Sequence, residues 1–181
     1  MKHAYILILA AGMATAQGRN VAEIRSARQA VDAATATFGP EHPATAMMLR
    51  NLALAMEQGG YYGESESYAK RSLTILEATF GSSDVSLVPA LNVLVETYAV
   101  QGRLGEAKRL ALRAVAIGPD AGPHYATALH NLAAVMAAEG KTNEAAEFFR
   151  QAMAAGHPYE EGTQGLLSRA AKRNRRLALV P

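Results

Sequence analysis

The sequence predicts an all-α protein, a right-handed α-solenoid of helix-turn-helix hairpins closed at its C-terminal end by a capping helix. Three observations predict it. Ala36-Thr37-Phe38-Gly39 recurs letter for letter at Ala78–Gly81, 42 positions on, and a fixed interval of this size marks stacked supersecondary units. Apolar and small residues within each interval fall at helical spacing, as in Leu52-Ala53-Met56 and Ala145-Phe148-Phe149-Ala152. Half of the chain is hydrophobic, with only 6% aromatic residues and no tryptophan. No interior run reads as a strand.

The interval sets the register of every element. Leu52, Met56, Gly60, Glu64 and Leu73 lie 42 residues before Leu94, Tyr98, Gly102, Glu106 and Val115. A third copy follows after 38, with Leu132, Met136, Gly140, Glu144 and Met153 in the same slots. The shortening falls in the glycine- and proline-rich stretch between Ile117 and Ala126, where loop length changes at little free-energy cost. Gly59-Gly60, Gly102 and Gly140 punctuate the units as turns, since glycine takes the left-handed conformation that ends a helix. Pro43, Pro89, Pro123 and Pro158 stand near the starts of the following helices, where a missing N–H is tolerated. The expected helices are 20–37, then pairs at 43–58 and 62–79, 85–101 and 104–117, 124–139 and 142–155, and a last helix at 163–178.

These letters resemble a known family. Leu94, Val95, Tyr98, Gly102, Ala107, Ala111, Ala114 and Pro119 look like a tetratricopeptide repeat, and so do Leu132, Ala133, Met136, Gly140, Ala145, Phe149 and Ala152. The stretches NLALAMEQGG and HNLAAVMAAEG and the linker Phe38–Pro43 resemble the longer-period repeats of kinesin light chains. The likeness covers residues 20–178. The unit with Ser65, Ala69 and Ser72 departs from the alanine pattern, and its hairpin is expected to pack less tightly. Small residues at these slots let neighbouring helices approach, while larger ones fill the gaps. One hairpin cannot bury its apolar face alone, so stacking is what makes such an array stable.

The ends read differently. Met1-Lys2-His3 is a basic start, Ala4–Met13 is apolar, and Ala14-Thr15-Ala16 is an A-x-A site before Gln17. Together they form a secretory signal over residues 1–16, with the mature 17–181 periplasmic or secreted. The alternative is a cytoplasmic chain in which 4–16 is the first helix of a first repeat, turning at Gln17-Gly18. Neither this run nor any other is long and apolar enough to span a bilayer as a helix. At the far end Arg169, Lys172, Arg173, Arg175 and Arg176 cluster with no acidic residue among them.

No constellation for catalysis stands out. Cysteine is absent, and there is no phosphate-cradling glycine loop and no metal-ligand pair at i, i+4. Glu64, Glu106 and Glu144 recur after each turn, where the helix dipole favours negative charge. Of the histidines, His42 and His157 each precede a proline in a linker, and His130 sits on a first helix. The sequence therefore points to a non-enzyme without cofactor or metal. The net charge of +2 gives no reason to expect a polyanion partner.

The resemblance implies that first helices line a concave face that binds a protein or peptide segment. Carried over by slot, that groove comprises Met47, Arg50, Asn51, Leu54, Glu57 and Gln58. It continues with Asn92, Glu96 and Val100, then Thr127, His130 and Asn131. The paired cationic clamp that some relatives use on a C-terminal carboxylate is not matched, and Arg50 alone stands near that position. The expected function is a scaffold or adaptor. The alternative is docking on anionic lipid or nucleic acid through the basic C-terminal helix, whose simpler role is a solvated face.

Overall fold

A computed structural model describes the backbone of residues 2–156 and the side chains of residues 20–156. Seven α-helices account for most of it: α1 (Lys2–Phe38), α2 (Pro43–Gln58), α3 (Tyr62–Phe80), α4 (Val88–Gln101), α5 (Leu104–Ile117), α6 (Pro123–Ala138) and α7 (Thr142–Ala154). Short 3-10 turns at Val85–Leu87 and Pro119–Ala121 precede α4 and α6. There is no strand among the described residues. The fold is all-α, a succession of helix hairpins of the α-solenoid class. The expected capping helix at 163–178 lies outside the described residues.

The same local chemistry shapes each turn. Gly60, Gly102 and Gly140 have φ of 80°, 80° and 83°. The amide after each donates back to the carbonyl of Met56, Tyr98 or Met136, at 2.8, 2.9 and 2.9 Å. These bonds satisfy carbonyls that the helix end would leave open, and only glycine adopts that backbone without strain. The duplicated Ala-Thr-Phe-Gly also ends helices on left-handed glycines, Gly39 at φ 96° and Gly81 at φ 89°, but there the glycine's own amide donates, to the Thr35 and Glu77 carbonyls at 3.0 and 2.9 Å. Three residues on, His42 Nδ1 accepts from the Ala44 amide at 3.1 Å and Asp84 Oδ1 from the Ser86 amide at 2.9 Å. The phased prolines fall in the first turns, Pro43 and Pro123 as the first residues of α2 and α6, and Pro89 as the second of α4.

The chain divides into two compact units, the first ending at Ser72 and the second starting at Leu73. In the first, α1 packs on α2 and the core includes Ala46, Leu49, Leu52, Ala53 and Ala69. In the second, α4 packs on α5, both pack on α6, and α6 on α7. Leu91, Leu94, Val95, Leu129, Leu132 and Val135 fill that core. Within the second unit the α4–α5 hairpin covers the apolar face of α6, the arrangement that a lone hairpin lacks.

The small-residue slots are where the helices meet. Ala107, Ala111 and Ala114 are fully buried. Ser65, Ala69 and Ser72 are fully buried as well, which corrects the expectation that the serine-bearing hairpin packs loosely. Serine is barely larger than alanine, and the Ser72 hydroxyl donates to the Ala46 carbonyl at 2.6 Å. The polar atom is thus satisfied without opening the contact. α1 runs from Lys2 to Phe38.

Candidate protein-binding face

Each first helix buries one stripe and shows another. On α2, Leu49, Leu52, Ala53 and Met56 are buried, whereas Met47, Asn51 and Gln58 are exposed and Arg50, Leu54 and Glu57 are half-buried. Met47 keeps 50% of its surface in water. In the second unit, Glu96 and Val100 of α4 and Thr127 and His130 of α6 are half-buried. His130 sets its ring edge-on to Phe149 of α7, centroids 5.3 Å apart, which ties it to its own hairpin.

The asparagines divide. Asn51 is exposed. Asn92 and Asn131 are only 4% and 5% exposed, and both tie α4 to α6. The Asn92 amide donates to the His124 carbonyl at 2.9 Å, and the Asn131 amide donates to Glu96 Oε1 at 2.9 Å. Asn51 and Asn131 share a slot in the repeat, yet one faces water and the other joins consecutive first helices. Glu57, Glu96, Val100 and His130 also have polar or ring partners, so the face is partly engaged within the protein.

Ion pairs run along the opposite helices. Arg71 Nη2 donates to the Pro40 carbonyl at 3.3 Å, and Arg113 Nη2 to the Ser82 carbonyl at 2.8 Å. Both pairs span 31 residues, and the two arginines are 42 apart, so one linker-to-helix link occurs once per unit. The repeat interval carried this signal, and slot-by-slot reading for a groove passed over it. Arg113 also pairs with Glu77 at 2.5 Å, within an open notch lined by Ser82, Ser83, Ala116 and Ile117. Lys108 of α5 meets Glu139 at 2.9 Å beside Lys141. The Lys108 hydrogen bond, with help from Lys141, holds the Glu139 carboxyl below its ordinary value despite partial burial.

Glu64, Glu106 and Glu144 lie in the first turns of α3, α5 and α7, and are spread along the chain rather than gathered. Among the described residues, no three His, Cys, Asp or Glu side chains converge to hold a metal. No described helix is long and apolar enough to cross a membrane. His157 and the basic cluster from Arg169 to Arg176 lie outside the described residues.

Known proteins match this geometry. The tetratricopeptide repeat model matches residues 3–78 and 86–155. The chain belongs to the tetratricopeptide repeat family. The match takes in residues 3–16, which the secretory reading removes. The tetratricopeptide array resembles a crystal structure of BtubC (BKLC) from P. vanneervenii, with TM-score 0.66 and 20% identity over 80% of this chain. It spans 61% of that protein's length, and the likeness is one of fold. Two crystal structures of a putative kinesin light chain with nearly identical TPR-like repeats from Podosopora anserina are also similar. Each has TM-score 0.63 and 25% identity over 88% of this chain, covering 80% and 81% of the other. No curated protein matches the sequence. The family's fold is that of a repeat scaffold with protein partners.

Proposed function

We propose that this tetratricopeptide array is a non-catalytic scaffold that holds a segment of another protein against the outward stripe of its first helices. One observation carries the reading: α2 buries its leucine stripe completely, yet presents Met47, Asn51 and Gln58 to water beside a half-buried Arg50 and Leu54. A large apolar side chain left in water among adaptable polar groups is what a peptide-binding surface needs. Buried Asn92 and Asn131 shape that face in the second unit rather than touch the guest.

The test is affinity capture from the natural source with the wild-type chain and with a Met47→Asp, Asn51→Arg variant. The variant is expected to fold normally and to lose the proteins that the wild type retains. Recovery of the same proteins by both would overturn the reading.

We further propose that the scaffold works outside the cytoplasm, on the strength of the basic start, apolar run and A-x-A site in residues 1–16. Sequencing the N terminus after expression in an exporting bacterial host is expected to start at Gln17. An intact Met1 would count against export.

A further inference from the structure

The chain carries seven methionines and no cysteine, so thioethers are its only oxidisable sulfur. The described methionines separate by exposure. Met56 and Met136 are packed in the core at 4% and 6%, whereas Met47 and Met153 keep 50% and 52% of their surface in water. Met48 is half-buried. Met153 belongs to α7, a second helix, but Met47 stands on the outward stripe of α2. The same slot 42 and then 38 residues on holds Pro89 and Thr127. Among the first helices α2 through α6, α2 alone presents an exposed sulfur. Arg50 follows Met47 by one turn, half-buried with no carboxylate beside it among the described residues. Residues three apart are neighbours on a helix, about 5–6 Å between Cβ atoms, and long side chains lean toward its N-terminal end. Arg50 is thus placed to donate to an acceptor on Met47, and a thioether is too weak an acceptor to use that placement.

We infer that Met47 is a site of reversible oxidation: a peroxide converts its thioether to the sulfoxide in the folded protein, and the sulfoxide, held by Arg50, weakens the grip of α2 on its guest. The inference rests on the scaffold reading above and adds regulation to that face. In the step itself the sulfur lone pair attacks one peroxide oxygen. The S–O bond forms as the O–O bond breaks, and sulfur gives up two electrons. The departing hydroxide takes the proton of the transferred oxygen and leaves as water. A flexible apolar side chain becomes a polar one. Its new oxygen accepts from the Arg50 guanidinium within the protein, so a polar pair replaces the apolar contact that the guest needs. The sulfurs of Met56 and Met136 are shielded by the core, so the fold outlasts the modification.

The test uses the full chain, hydrogen peroxide and an octapeptide selected on the untreated protein from a random library. Peptide mass spectrometry should find sulfoxide at Met47 and Met153 well before Met56 and Met136. Far-UV circular dichroism should show unchanged melting at that stage. Affinity for the octapeptide should fall about 10-fold, the scale of one lost apolar side-chain contact, and should return after methionine sulfoxide reductase. Met47→Leu keeps the apolar volume and should bind alike before and after peroxide. Met153→Leu should respond as the wild type does. Arg50→Gln should lose less on oxidation than the wild type, and an equal loss would overturn the part given to Arg50. Affinity unchanged by oxidation at Met47, an equal fall in Met47→Leu, or Met136 oxidising as fast as Met47 would overturn the inference and leave the scaffold reading standing. No octapeptide enriched on the untreated protein would count against the scaffold reading itself, and this inference would fall with it.

Discussion

Replacing asparagine by alanine at two positions of the same repeat slot should have unequal consequences. Asn131 is 5% exposed and donates to the Glu96 carboxylate at 2.9 Å, whereas Asn51 is exposed. A hydrogen bond to a charged acceptor contributes about 1.5–3 kcal/mol. Alanine's better helix propensity returns at most about 0.7 kcal/mol, and does so equally at both sites. The difference between the two variants thus isolates the tertiary contribution. For a protein of this size a loss of 1 kcal/mol lowers Tm by about 2–4 °C, so Asn131→Ala should melt roughly 3–12 °C below Asn51→Ala. Asn51→Ala should stay within about 0.5 kcal/mol of wild type. Thermal and urea unfolding followed by far-UV circular dichroism would measure both. A cycle with Glu96→Ala should show that the double variant loses less than the sum of the singles. Equal melting of the two asparagine variants, or additive losses in the cycle, would refute the link between α4 and α6 as a source of stability.

Other expectations follow from packing and charge. Ala107→Leu and Ala145→Leu should each destabilise by about 1–3 kcal/mol through overpacking, while Ala116→Leu, at an exposed position of α5, should be close to neutral in the same melts. Ser72→Ala should lower stability by about 0.5–1.5 kcal/mol, although it restores the family's alanine; a more stable variant would show that the Ser72 hydroxyl is not stabilising. Gly59→Ala should destabilise although its φ of −76° suits any residue, because a Cβ there would stand 2.8 Å from the Tyr61 ring and 2.9 Å from Asn20 Oδ1. Adding Asn20→Ala should recover part of that loss, as judged by Tm. The Glu139 carboxyl titrates below its ordinary value of 4.5, so its pairing stabilises the fold above that pH and is lost as pH falls through the lowered value. Glu139→Gln should therefore flatten the acid limb of a stability-pH profile and leave the neutral-to-alkaline part nearly parallel to wild type.

The sequence alone determined the elements of this protein. Phased glycines and prolines act through their own backbone chemistry, and helical spacing of leucine and alanine acts through local geometry. The hairpins were therefore legible to within a few residues, and the tetratricopeptide likeness followed from three copies in phase. The candidate face was legible only as a set of slots. Asn51 and Asn131 are the same letter at the same phase, yet only the tertiary structure decides that one faces water and the other bonds to Glu96. The serines at 65 and 72 looked like a weakness until the fold supplied the Ala46 carbonyl. Arg50 is an ordinary arginine in the sequence; half-burial on α2 with no carboxylate beside it among the described residues is what sets it apart. Periodicity fixes which side of a helix a residue occupies, because that depends on neighbours three and four positions away. Whether its polar atoms find partners depends on residues some thirty positions distant, which no local pattern encodes.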